Sequence, residues 1–553
     1  MAKRIKESET VVIAALQRVT ELLSSTSSEL QQFISSHAAT GGTPAAVNAE
    51  VNSWDDPFTE AVSTANPAIA VPQPVALPKN QFMTLRTNIS DPQPPAGRYN
   101  PGTQEFRYWV AAEALARGIN FWGSLLPSGT TWSTSNPMQV TLIEAGTQLN
   151  ANYTRLFGLR FYRQKVLNFD ICSCESPDIV RHELGHAILD ALRPQLFNVA
   201  NTETAAFHEA FGDISAILCA LQTPATRKTV LSETGGRLNT NSRLSRLAEQ
   251  LGWGLRQISS GGAERDCLRN AANHFFYKRP DLLPPSADAD LLSREEHSFS
   301  RVFTGAFLDA LARMFSANYS QDEAGLETVS RDIGRLLIDA IHGAPITATY
   351  FSQVAAAMIQ ADQARFGGRN NAELTGAFLE HGILSVGSSL QMSAAPIPTA
   401  VVAAQGIAPM AGAAGAAIIY SYDDRQGDDA HLLGLGQTPE LPVRPLTIAD
   451  GLTLNVHAPE ELPRFAVASA SLTSVMDDTV SEDTAMRAFV EGLIQRQQVD
   501  LGRETKSITG AGKKSAGRMT HTLEIEDGKP VLKRGYFSCG CSASSNSIRM
   551  SCT

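Results

Sequence analysis

Cysteine is scarce in this chain: seven residues in 553, an odd number. Four precede residue 270 (Cys172, Cys174, Cys219, Cys267) and three close the chain (Cys539, Cys541, Cys552). That is not the dense, even pattern that staples small exported domains, and it leaves free thiols and some pairing both open. Positive charge is also short. Lys and Arg number 46 against 56 Asp and Glu, for a net charge of −10. This argues against the generally basic surface that a phosphate backbone rewards, so no nucleic-acid partner is expected. Long runs of large apolar residues are missing too. The charge-free stretch from residue 394 to 420 consists largely of Ala, Gly and Pro, broken by Pro396, Pro398 and Pro409. A membrane-spanning helix carries Leu, Ile and Phe instead, so the stretch reads as linker and no membrane span is expected. Near the start, Val11 to Leu16 is apolar but short, Gln17, Arg18 and Glu21 follow, and no signal peptide is recognisable. The expected location is cytoplasmic, or outside by a non-classical export route.

What is present divides the chain. Apolar residues at Val12, Ala15, Leu16, Val19, Leu22, Leu23, Leu30, Phe33 and Ile34 follow a helical period. Residues 1–36 are therefore expected as a helical segment. Residues 37–78, rich in Ala, Pro, Thr, Val and Asn, read as linker. From 79 to 387 the chain reads as globular without interruption, and 388–440 as an Ala/Gly/Pro linker. Residues 441–553 carry short alternating segments, Leu452–Val456 and His521–Ile525, with a hairpin-like Glu526-Asp-Gly-Lys529. They are expected as a small β-rich domain. The N-terminal helix and this last unit are the places where a protein partner would dock. No internal repeat is visible.

The chemistry concentrates at His182-Glu-Leu-Gly-His186. Pro177 and Asp178 mark a helix start and Pro194 a stop. Four residues apart on a helix, both imidazoles face one ion, and Glu183 reaches its open side. A catalytic zinc takes three protein ligands and keeps one position for water. The next apolar helical run, Phe207-His-Glu-Ala-Phe-Gly-Asp213, offers Glu209 as the third ligand. Asp213 and Asp190 are candidates to accept a hydrogen bond from the far nitrogen of a ligand histidine and so fix its ring. His208 and His381 read as structural or exposed.

These residues resemble the thermolysin-like zinc metallopeptidases, over roughly residues 100 to 385. Ser176–Asp190 is similar to that family's active-site helix and Phe207–Asp213 to its third-ligand helix. Gln148-Leu-Asn-Ala-Asn-Tyr153 resembles the edge strand that pairs with substrate, with Asn150 and Ala151 as the counterparts. Asp266-Cys-Leu-Arg-Asn270 resembles the segment whose Arg binds a substrate carbonyl, here Arg269, and Glu296-His-Ser-Phe299 the helix that opens with a catalytic donor histidine, here His297.

The resemblance implies an α+β, two-lobed catalytic domain: a β-rich lobe with the active-site helix (79–235) and a mostly helical lobe (236–387). It implies one zinc ion on His182, His186 and Glu209, and a zinc endopeptidase with Glu183 as general base, His297 as transition-state donor and an apolar P1′ preference. Its substrate would be a peptide or protein. A catalytically weak or inactive peptide-binding module, and an aminopeptidase, stay open as alternatives. The sequence also departs from the pattern. Phe197 stands where a tyrosine is usual, Phe299 where an Asn is usual, and Asp290, Glu295 and Glu296 compete as the acid orienting His297. The acids that hold calcium after the third-ligand helix are absent from Ile217 to Leu221, so calcium is not expected there. A thiolate from Cys172, Cys174, Cys539 or Cys541 filling the open zinc position would hold such an enzyme latent.

Overall fold

In the computed structural model, residues 50–60, 68–259, 261–385, 441–449, 451–460, 481–500, 519–526 and 528–539 are described. The expected helical segment 1–36 and the linker 388–440 lie outside them. The fold is mixed α+β with several small sheets.

Helix α1 (Gln104–Gly123) starts at Thr103, whose side chain accepts from the Phe106 N–H. Helix α2 (Pro177–Leu192) has Pro177 in its first turn, where the missing N–H costs nothing, and stops before Pro194. Helix α3 (Thr202–Ala220) is capped by Asn201 and buried along its whole length, as a helix apolar on every side requires. After α4 (Pro224–Thr234) and α5 (Glu249–Ile258) come four helices: α6 (Glu296–Asn318), α7 (Glu323–Gly343), α8 (Tyr350–Phe366) and α9 (Asn371–Glu380). The most extensive packing of α3 is against α2 and α6. Phe207 of α3 sits edge-on to Phe303 of α6 and Tyr350 of α8, each at 5.1 Å between ring centres. Full burial of such a side chain contributes about 1.5–3 kcal/mol.

Two five-stranded sheets frame the helices. The first contains β1 (Thr87–Ile89), β2 (Met138–Thr141), β3 (Ala151–Thr154) and β4 (Gly158–Phe161), in the order β3-β4-β2-β1. The second runs β5 (Val443–Thr447), β6 (Thr453–His457), β9 (Lys529–Arg534), β8 (His521–Glu526), β7 (Val499–Asp500), and helix α10 (Glu482–Gln495) packs on it through Met486, Phe489, Val490 and Leu493. The expected hairpin forms: Glu526 pairs with Lys529, and Gly528 takes a φ of +75°. Strand β10 (Phe537–Ser538) leaves this second sheet and becomes the fifth strand of the first, antiparallel to β3. The C-terminal unit is thus a helix-backed sheet whose last strand belongs to the other sheet.

The linker reading of residues 37–78 needs correction where the chain is described. Val51, Trp54 and Phe58 are buried. Trp54 donates its indole N–H to the Glu175 carbonyl at 2.5 Å, and Phe58 meets Trp253 and Phe169 edge-on. Short strands at Glu50–Ser53, Phe58–Glu60, Ala68–Ile69 and Gln73–Ala76 carry this segment. The abundant Pro and Ala hid anchors that are few but large. No single helix among the described residues is long and apolar enough to cross a membrane.

At the start of α2 lies an acidic cluster. Asp56 accepts from the Ser176 hydroxyl at 2.5 Å and the Gln250 N–H at 2.9 Å, Asp178 from the Ala248 N–H at 3.1 Å, and Glu249 from Arg246 at 2.9 Å. Burial, reinforced by neighbouring acid charges, pushes Asp56 up to about 6, Asp178 to about 8 and Glu249 to about 9. For Asp178 the sign follows directly. A folded pKa above the ordinary 3.8 means its contribution is complete below that value and is lost as pH rises towards about 8. Asp178→Asn keeps the acceptor for Ala248 but not the ionisation. It should raise the melting temperature over the parent at pH 8 and do so less at pH 5. Thermal melts across that range would show parallel curves if the carboxyl were ionised throughout.

Candidate metal centre and peptide cleft

Helices α2 and α3 approach closely because glycines face each other. A Cβ on Gly185 would lie 2.9 Å from the Gly212 Cα and from the Ser215 Cβ, and one on Gly212 would lie 2.7 Å from the His182 ring. This contact lets His182, His186 and Glu209 converge, with donor atoms all within 4.8 Å of one another and all three residues buried. Gly212→Ala should cost about 1–3 kcal/mol by overpacking. It should also weaken metal binding by turning the His182 ring. Denaturant titration with a chelator-competition assay checks both, and unchanged metal affinity would show that His182 does not rely on this contact.

The fit to a metal rests on unsatisfied atoms. The Nε2 atoms of His182 and His186 and both carboxylate oxygens of Glu209 are buried without a hydrogen-bond partner. His182 Nε2 stands 3.3 Å and His186 Nε2 3.7 Å from the Glu209 carboxylate, near but not in hydrogen-bonding geometry. Buried polar atoms rarely stay unpaired, and a cation would satisfy all of them at once. A second group, Glu209, Glu296 and His297, also brings donor atoms within 4.8 Å. There, however, Glu296 is held by Arg534 at 3.1 and 2.5 Å, and His297 by acceptors at both nitrogens. The first group is the better candidate for a metal.

The outer nitrogens of the histidines are set differently from each other. His182 Nδ1 lies 2.9 Å from Asp213 Oδ1, the partner expected from the sequence. Asp213 is also clasped by Arg269, at 3.0 and 2.7 Å. Burial opposes its ionisation, yet Arg269 and His182 hold its carboxyl down to about 2. Asp190 does not orient a histidine. Its carboxylate takes the Tyr153 hydroxyl at 2.8 Å and Arg155 at 2.9 and 2.6 Å, because one turn beyond His186 it faces β3 rather than α3. His186 Nδ1 instead meets His208 Nδ1 at 3.0 Å. His208 is fully buried, and burial lowers its pKa well below the usual histidine value, so its neutral ring can accept a hydrogen bond from the His186 Nδ1–H. A histidine inside a run as apolar as Thr204–Phe211 needs a buried partner, which was the available signal.

Glu183 is fully buried and neither of its carboxylate oxygens has a partner. Burial drives its pKa well above the ordinary value, with Cys539 and Glu209 adding to the shift against His182 and His297. The acid beside His297 is Glu295, whose Oε1 lies 2.5 Å from Nδ1. Glu295 also caps α6 through Ser298 N at 2.9 Å, whereas Glu296 turns to Arg534. Phe197 is buried with the Arg155 guanidinium 4.3 Å above its ring, and Phe299 stacks on Phe351 at 5.3 Å. Neither offers a polar group to the site.

The strand edge expected to bind a peptide is paired with a strand of the chain itself. Strand β10 pairs Phe537 with Tyr153 and Ser538 with Asn152, and the Cys539 N–H donates to the Ala151 carbonyl at 3.2 Å. An exposed strand edge is a template for any extended segment, and here the chain supplies its own. His297 Nε2 donates to the Ser538 carbonyl at 2.7 Å and Arg269 to the Cys539 carbonyl at 2.9 Å. The thiol of Cys539 donates to Asn150 Oδ1 at 3.2 Å. Cys539 belongs to neither metal-donor group among the described residues. Cys541 lies outside the described residues. Cys172 and Cys174 are buried free thiols, the first pushed up to about 12 by burial.

Comparisons with known proteins find no matching family model and no matching curated protein.

Proposed function

We propose that the chain is a zinc-dependent endopeptidase, built on a thermolysin-like two-lobed domain. The observation that carries this reading is the convergence of unpartnered His182, His186 and Glu209 atoms beside an unpartnered Glu183, along a strand edge that accepts an extended peptide.

A bound zinc ion would supply the positive charge that acidifies water and polarises the scissile carbonyl. The chain's own groups do the rest. Strand β3 aligns the peptide through backbone hydrogen bonds. Arg269 binds the carbonyl one residue beyond the scissile bond, and His297 donates to the carbonyl that is attacked. Both ring nitrogens of His297 face acceptors, Glu295 Oε1 at 2.5 Å and the Ser538 carbonyl at 2.7 Å, so both carry protons to donate. Glu183 takes a proton from water and returns it to the leaving amine. An apolar side chain after the cleaved bond is the preference that the family resemblance implies.

The test combines metal analysis with digestion of a peptide library blocked at both ends, using full-length wild type and full-length Phe537→Asp, which should loosen β10. One zinc per chain with internal cleavage supports an endopeptidase. Retained metal with no cleavage by either protein would make the chain a peptide-binding module, and cleavage only of unblocked peptides would make it an aminopeptidase.

A further inference from the structure

We propose that the chain is its own substrate: it hydrolyses the peptide bond between Ser538 and Cys539 and releases the segment that begins at Cys539. This rests on the peptidase reading above and goes beyond it by naming a bond.

The register is that of a peptide ready to react. Two consecutive carbonyls, one on each side of a single peptide bond, are held by two different cationic side chains: Ser538 O by His297 and Cys539 O by Arg269. The nitrogen of that bond is fixed by the Ala151 carbonyl. His297 Nε2 also lies 3.2 Å from Glu209, so the Ser538 carbonyl is the one placed beside the candidate metal site. The preceding residue is anchored. Phe537 stacks on His208 at 3.9 Å and on His186 at 4.9 Å between ring centres, with the Arg534 guanidinium 4.1 Å from its own ring. Arg534 in turn pairs with Glu296 at the start of α6. The segment is therefore bound through backbone and side chains on both sides of the bond, and Glu183, next to His182 on α2, has both carboxylate oxygens buried without a hydrogen-bond partner.

The reaction balances with water alone. The Ser538 carbonyl carbon gains the hydroxyl of water and the C–N bond breaks. The Cys539 nitrogen leaves as an amine, carrying the proton that Glu183 delivers. Ser538 becomes a carboxylate still tethered through β9, while departure of the other half clears the side of the cleft lined by Asn150 and Arg269.

Two measurements on the full chain test this. In the metal-free proteins, alkylation of Cys539, located by peptide mass mapping, should be at least tenfold slower in Glu183→Gln than in Glu183→Gln/Phe537→Asp. Equal rates would overturn the occupancy. With zinc supplied, intact mass should show wild type ending at Ser538 and the peptide that begins at Cys539 in solution. Glu183→Gln should stay whole, and the wild-type rate should not depend on protein concentration. A tail that stays intact while wild type or Phe537→Asp digests blocked peptides overturns self-cleavage and leaves the peptidase standing. Cleavage at another bond, or a rate that climbs with concentration, also overturns it. If neither protein cuts anything, the peptidase reading falls and this inference with it.

Discussion

Glu183→Gln should lower peptide hydrolysis by about 10²–10⁴-fold, the usual contribution of a positioned general base, while metal content stays the same. The separation is expected because the Glu183 carboxylate is not one of the three converging donors. Gln keeps the shape and loses the proton acceptor. Burial already holds the Glu183 pKa high, so the parent carboxylate needs nearby positive charge to act as a base. Parallel measurement of turnover and of metal by mass spectrometry checks this. Equal loss of both would place Glu183 in the metal-binding set, and loss of neither would remove it from the reaction.

Asp213→Ala should be the most damaging change for the folded chain. It leaves Arg269, which is 6% exposed, without the carboxylate that clasps it. Stranding one member of a buried ion pair costs about 3–5 kcal/mol. The same change frees His182 Nδ1, and removal of such an outer partner weakens metal binding by about 10- to 100-fold. Urea denaturation of the metal-free protein reads the first effect and competition with a chromogenic chelator the second. Asp213→Asn should recover part of the His182 contact but not the charge opposite Arg269. An Ala variant that melts like the parent would mean that Arg269 finds another partner.

The parts of the site that were legible in the sequence are local. His182 and His186 share a face because four residues make about one helical turn, and Pro177 and Pro194 bracket that helix. Glu209 and Asp213 stood out as acids among Phe207, Phe211 and Ile214. What sequence could not rank depended on where a side chain points once elements dock. Glu295 and Glu296 are adjacent, and only the start of α6 decides that one caps the helix and meets His297 while the other faces Arg534. Asp190 is in helical phase with His186 but is claimed by Tyr153 and Arg155 from β3. His208, next to Glu209, turned out to face His186, which needed the α2–α3 contact to be known. The buried segment around Trp54 and Phe58 was masked by its composition. The occupied cleft was least legible of all, since it joins β3 to residues near the opposite end of the chain.

That last pairing sets an order of events during synthesis. Strand β3 emerges from the ribosome long before its neighbour β10, and pairing across such a separation forms late. Until then the row of backbone groups from Ala151 to Thr154 stays open to any extended chain nearby, a hazard for nascent and partly folded proteins. Translation that stalls after β9 would yield a protein with its helices in place and this edge uncovered, so truncated products should associate or capture peptides more readily than the finished chain.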